Sequence, residues 1–130
     1  MAVACNTGFT EAAKFLVGEA ADVFKYVAVG KGTLQGAAHT KLAVECTESG
    51  LTRALADTCA TTQTTIANDT VQLIETFTAA ASATVTEAGA FNNATIDLGD
   101  MLMVGDFGTA ATMVSGDTLK VTLQCQLKAA

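Results

Sequence analysis

Few side chains in this chain could do chemistry, and their spacing limits what kind. The four cysteines, Cys5, Cys46, Cys59 and Cys125, include no C-x-x-C pair. Structural zinc takes closely spaced ligand pairs, so the spacing argues against zinc. Thiols pack well as small apolar groups, and that is their expected state in a cytoplasmic product. Cys125 falls on the apolar side of an alternating run and is expected to be buried and unreactive. Were a disulfide to form, Cys46 and Cys59 would close the shortest loop, although four cysteines allow three pairings. His39 is the only histidine and lies in a Gly/Ala/Thr loop, which suits a surface residue better than a general base. No serine stands in G-x-S-x-G. Asp97, Asp100 and Asp106 are too openly spaced for a calcium loop and read as solvated loop carboxylates. Asn68 and Asn93 head formal glycosylation sequons, expected to be unmodified without a secretion signal.

Two motifs are sharper. Gly30-Lys31-Gly32-Thr33 follows an apolar run, as a dinucleotide fingerprint would, but no further glycine in register and no helix follow it. The order G-x-x-x-x-G-K-[ST] of a phosphate-binding loop is also missing. A tight turn between strands is the expected reading. Arg53 is the only arginine, set in the apolar run Leu51-Thr52-Arg53-Ala54-Leu55, and Glu87 is the only charge between Glu75 and Asp97. Charges among small and apolar strand residues are rarely buried without partners. The expectation is a bidentate Arg53–Glu87 pair across the sheet or the sandwich. The alternatives are that both face solvent, or that Glu87 accepts N–H groups of its own turn.

The elements that must position these residues read mostly as strands. In Asp117–Lys128, Leu119, Val121, Leu123, Cys125 and Leu127 alternate with Lys120, Thr122, Gln124, Gln126 and Lys128. That period of two marks a strand with one buried face. Ala83–Phe91 is a second extended run carrying Glu87, with Gly89 allowing a turn or close packing. Phe24–Gly30, Leu42–Thr47, Thr58–Ile66, Val71–Phe77 and Met101–Phe107 complete the set. Ala67-Asn68-Asp69-Thr70 supplies a hairpin signal, and Asn92–Asp100 a polar loop. One helix is expected at Thr10–Val17, with Thr10 as N-cap, Glu11 in the first turn and Gly18 as the stop. Ala12, Phe15 and Leu16 share its apolar face, which must cover the sandwich or a neighbouring subunit. Seven or eight strands with turns about every ten residues predict an all-β antiparallel sandwich, Ig-like or jelly-roll-like, with one short N-terminal helix.

Length and composition agree. The 130 residues suit one domain, 1–130, with 1–20 as an N-terminal arm and short helix. Half the residues are apolar but only 5% aromatic, so the core must be aliphatic. A net charge of -6 argues against nucleic acid, which needs cations for its phosphates. The N-terminus has no basic and apolar signal pattern, and no apolar run reaches the ~18 residues of a membrane span. Synthesis in a cytoplasm, with no cofactor and no metal, is the expectation.

With the strands placed, the motif order resembles a family of small bacteriophage virion proteins. These are tail-fibre or tail-collar domains, and related folds act as capsid decoration or cement proteins. Tyr26-Val27-Ala28-Val29-Gly30-Lys31-Gly32-Thr33 is similar to an "hIAVGTGT" strand and turn. Leu51-Thr52-Arg53 is similar to an Arg-bearing strand. Val85-Thr86-Glu87-Ala88-Gly89-Ala90-Phe91-Asn92 is similar to "ITEAGLFN", with Ala90 where a larger aliphatic is usual. Ser115-Gly116-Asp117-Thr118-Leu119-Lys120-Val121-Thr122 is similar to "SGDTLTVT". The resemblance spans residues 24–128. It implies a non-enzymatic β-sandwich of the virion that binds the major capsid protein or other virion proteins. A homo-oligomer is implied with it, a trimer by analogy with decoration proteins at threefold positions. A tail-fibre or collar component touching a host receptor is the alternative role.

Overall fold

A computed structural model describes residues 2–33 and 36–128. Leu34 and Gln35, at the head of the Gly/Ala-rich loop, lie outside them. The elements run β1 (Ala2–Ala4), α1 (Asn6–Val17), β2 (Tyr26–Gly30), β3 (Ala54–Leu55), β4 (Thr58–Thr62), β5 (Thr70–Thr78), β6 (Ala83–Phe91), β7 (Met101–Met113) and β8 (Thr118–Gln126). One sheet has the order β1-β7-β6-β2-β3, the other β4-β5-β8, and every pairing is antiparallel. The chain is thus an all-β, sandwich-like fold with one short N-terminal helix. No helix among the described residues is long and apolar enough to cross a membrane.

The alternation of the last strand builds the main core. Val121 and Leu123 of β8 and Leu73 and Phe77 of β5 point inward, against Val85, Ala88 and Ala90 of β6 and Val27 and Val29 of β2. Fully burying such a side chain contributes ~1.5–3 kcal/mol before entropy is counted. The expected hairpin joins β4 to β5. Its Asp69 carboxylate accepts the N–H groups of Thr64, Thr65 and Ile66 at 2.8–3.1 Å, which closes the turn. Leu127 lies past the end of β8 and is exposed, although its N–H still donates to the Asp69 carbonyl at 2.8 Å, one step beyond the Thr70–Gln126 pair.

β6 is buried on both faces. A register shift between Val85 and Glu87 breaks its alternation, so Val85, Ala88 and Ala90 face the main core. Phe91 faces a second core on the outer side of the five-stranded sheet, with Cys5, Ala28, Leu42, Met101 and Val104. Gly89 therefore lies mid-strand, packed beneath Leu42, Met101 and Phe91, and marks no turn. The outer core needs a lid, and the long β2–β3 connection and the start of α1 provide it.

Several expectations change here. Leu42–Thr47 is irregular and contributes a single bridge, Gly30 to Glu45. Residues 2–4 are an edge strand paired with 103–105 of β7 and do not form a free arm. The helix starts one turn earlier than Thr10. Cys5 is its N-cap without a side-chain bond, and the Thr10 hydroxyl donates back to the Asn6 carbonyl. The start is set by tertiary contact instead. Gly8 rests on the backbone of Leu102, where a Cβ would come within 2.7 Å of Leu102 Cα, and the Thr7 hydroxyl donates to the Met101 carbonyl. Gly18, at φ 77°, ends the helix as expected.

All four cysteines are free thiols. The Cys46–Cys59 pairing is not made: Cys46 sits in the main core while Cys59 is exposed on edge strand β4. Cys125 is half-buried, short of the full burial expected, because β8 is an edge strand. Burial raises all four thiol pKa values, Cys5 to about 11. Native alkylation followed by mass spectrometry should label Cys59 first, Cys125 slowly, and Cys5 and Cys46 only on unfolding. Labelling of Cys46 as fast as Cys59 would contradict this packing.

Candidate functional site

Of the residues singled out by the sequence, Arg53 and Glu87 both reach the outer face of the five-stranded sheet, but not as the pair expected. Leu51 and Arg53 both turn inward with Thr52 outward, so the last arginine atoms reach the buried side of the lid. The guanidinium grips Glu45, not Glu87. Nε donates to Glu45 Oε2 at 3.0 Å and Nη2 to Oε1 at 2.8 Å. Nη1 donates to the carbonyls of Asn93, Thr95 and Leu98, each at 2.9 Å. The Phe91 ring lies beneath, 3.8 Å from the guanidinium carbon to the ring centroid. The Arg53 side chain is 0% exposed and that of Glu45 5%. One cation thereby ties together the lid, the 92–99 loop and the end of β6.

Glu87 has a separate role. It is 0% exposed and projects from β6 beneath the Gly30-Lys31-Gly32 turn. Oε1 accepts the Ala43 N–H at 2.9 Å. Oε2 has no hydrogen bond of regular geometry. Burial pushes the Glu87 pKa up, the backbone N–H groups of Ala43, Val44 and Gly32 pull it back in part, and the Glu45 carboxylate adds to the rise. The two glycines are there to let the backbone close over this carboxylate. A Cβ on Gly30 would sit 2.6 Å from the Val44 carbonyl and 2.8 Å from Glu87 Cγ, and one on Gly32 would collide with Glu87 Oε2 and Ala43 Cβ. The G-x-G motif cradles the chain's own carboxylate. Of the alternatives open from sequence, backbone capture of Glu87 is the nearest, though the N–H groups come from a segment 44 residues away.

The loop aspartates do not converge. Asp97 is exposed and pairs with Lys41 at 3.6 Å. Asp100 is hydrogen-bonded to Glu11 of α1, and Lys14 Nζ donates to Glu11 at 3.0 Å. Lys14 holds Glu11 below the usual carboxylate range, while burial and then Glu11 raise Asp100. Asp106 lies on β7, opposite Glu87 in register. No group of three or more His, Cys, Asp or Glu side chains among the described residues could hold a metal ion. His39 is exposed and accepts the Gly36 N–H of its own turn at 2.8 Å. Glu75 is a further buried carboxylate, on the inward face of β5 with Oε2 unbonded, and burial followed by Asp57 raises its pKa.

Chemically this is a locked set of charges. The guanidinium has no donor turned to solvent, and the Glu87 carboxylate has no access to a substrate. Sequence reasoning found Arg53 and Glu87 but missed Glu45 and Glu11. Glu45 stands eight residues before Arg53 in an irregular run where no periodicity indicates burial. Glu11 was hidden by the late helix start.

The lock makes two predictions. Glu45→Ala leaves a buried guanidinium with two donors unpaired and should cost ~3–5 kcal/mol in urea denaturation. Arg53→Met with Glu45→Leu should be milder than either single change, and a double-mutant cycle without coupling would refute the pairing. The second concerns pH. Glu75 and Glu87 have folded pKa values raised above the ordinary glutamate value of 4.5. The proton therefore binds the folded chain more tightly than the unfolded one. That stabilisation is complete below the ordinary value and lost as pH rises through the raised ones. Asp69, held low chiefly by the Thr64 N–H, opposes this only below the ordinary aspartate value of 3.8. As pH rises above the ordinary glutamate value, stability should fall, and Glu87→Gln should flatten the slope. An unchanged slope in Glu87→Gln would exclude Glu87 as a source.

No protein-family model matches this chain and no curated protein matches it, so its role has to be argued from the residues and their geometry.

Proposed function

We propose that the protein is a non-enzymatic structural protein of a virion, a capsid decoration or cement protein that stabilises a phage head by binding capsid subunits. The carrying observation is the fate of the chain's reactive groups. The segments that resemble phage virion proteins, Tyr26–Thr33, Leu51–Arg53 and Val85–Asn92, meet in the Arg53 and Glu87 lock. Their charges are spent on holding a lid to a sheet. A fold that fixes its loops in this way is suited to presenting a rigid surface to neighbours.

One feature favours the second reading, a tail-fibre or collar component that contacts a receptor. A shallow polar depression of about 270 Å³ is lined by Asp22, Lys25, Tyr26, Asn92 and Asn93. A tyrosine beside amide and charged groups offers a polar ligand such as a sugar both hydrogen bonds and a ring face. Labelling of intact particles with antibody against this protein, viewed in negative stain, separates the two. Shell-wide label is expected for the decoration role. Label at one vertex would favour the tail, and particles with no label would overturn both.

A further inference from the structure

The helix that closes the outer core carries an apolar stripe that the fold leaves uncovered. Phe9 is 54% exposed, Phe15 42% and Leu16 86%. Beside them a groove of about 350 Å³ runs between α1 and the end of β8, with Val23 and Leu127, 54% and 61% exposed, on its far rim. Its floor includes Val71, Leu102 and Cys125, and no charged side chain lines it. These five exposed side chains present roughly 600 Å² of apolar surface, at the upper end of what an isolated soluble domain tolerates.

We propose that this groove is the interface between two copies of the chain, related by a twofold axis. Leu16 of each copy enters the groove of the other. Three features commit the site to a second copy. The patch contains both a ridge, Phe15 and Leu16, and an adjoining groove, so it is self-complementary, as a twofold interface requires. A threefold ring would need each subunit to offer two different surfaces, whereas ridge and groove here belong to one. The area also fits: burying the patch on both copies removes on the order of 1,200 Å², the lower bound of a specific interface. Finally, the groove is uncharged while the whole chain carries a net charge of -6. A partner chosen by charge gains nothing in the groove. Two identical acidic copies repel each other outside it, so their association should tighten as salt rises.

The proposal concerns the isolated protein and does not depend on the virion reading. Analytical ultracentrifugation of the full chain should show a dimer that strengthens with salt. Leu16→Glu should weaken it roughly 30-fold or more, the effect of losing a central hot spot, with unchanged far-UV circular dichroism because Leu16 makes little contact within its own chain. Val23→Glu, on the opposite rim, should act likewise. Ile66→Glu, at a residue 66% exposed outside the groove, should leave the dimer intact. A strict monomer at high micromolar concentration, a trimer, or a dimer indifferent to Leu16→Glu and Val23→Glu would each overturn it. Particle labelling can fail while this dimer stands, and the reverse, so the two readings fall separately.

Discussion

The fold depends on one buried guanidinium. The described residues of the β2–β3 connection, 31–33 and 36–53, make almost no ladder hydrogen bonds, yet they must lie on the open face of a five-stranded sheet. A segment of that length without regular structure would ordinarily stay solvated, because its polar groups have nowhere to go when buried. Arg53 changes that balance. Its planar fork matches the Glu45 carboxylate on one edge and gathers three loop carbonyls on the other, while Phe91 supplies an apolar floor. Lysine has one compact head and could not serve both edges. Desolvating the pair is expensive, and a hydrophobic substitute of the same shape could be as stable. What the pair adds is a link between the lid, through Glu45, and the 92–99 loop, through its carbonyls.

Glu87 extends the same logic at the other end of the lid. It lies near Glu45, so the local cluster holds two carboxylates and one guanidinium. The backbone compensates in part, with N–H groups from the 43–44 segment and Gly32 turned towards Glu87 and two glycines removing the side chains that would hold them off. The compensation is incomplete: burial still leaves the Glu87 pKa raised, and one of its oxygens has no regular hydrogen bond. The register shift in β6 is what places this carboxylate on the outer face. Without it, strict alternation from Val85 would carry Glu87 into the main core among Leu73, Phe77 and Val121, where no donor is available to it.

What was legible in the sequence follows from the same physics. β8 and β5 are regular strands with one buried face, and the Asn68–Asp69 turn joins β4 to β5 as expected, although β4 ends at Thr62 and not Ile66. Arg53 was legible as a candidate for burial, because a lone arginine in an apolar run needs a partner if it is to leave solvent. Its partner was not legible. Pairing Arg53 with Glu87 assumes that both sit on regular strands, and the bulge in β6 and the irregular lid break that assumption. The helix start was misplaced for a related reason. Its cap is a contact between Gly8 and β7, which leaves no local side-chain signature in the sequence. Elements fixed by periodicity can be read from one chain; those fixed by a distant backbone cannot.

A few charged and apolar residues stand opposite to the usual rule. Arg53, Glu11, Glu75 and Glu87 are buried, while Phe9, Phe15, Leu16, Val23 and Leu127 are exposed. Of these, Arg53 and Glu87 hold the irregular lid, which apolar packing alone would leave in many arrangements. The exposed apolar residues have no such internal reason: α1 is already anchored by Gly8, Thr7 and the Glu11–Asp100–Lys14 cluster on its other side. A helix held by its polar and glycine contacts has its apolar stripe free for another surface. Soluble domains seldom keep contiguous apolar patches of this size without a use for them. The internal lock and the external stripe are therefore linked, because fixing α1 from behind is what allows its front to be presented rigidly, at little further entropic cost on association.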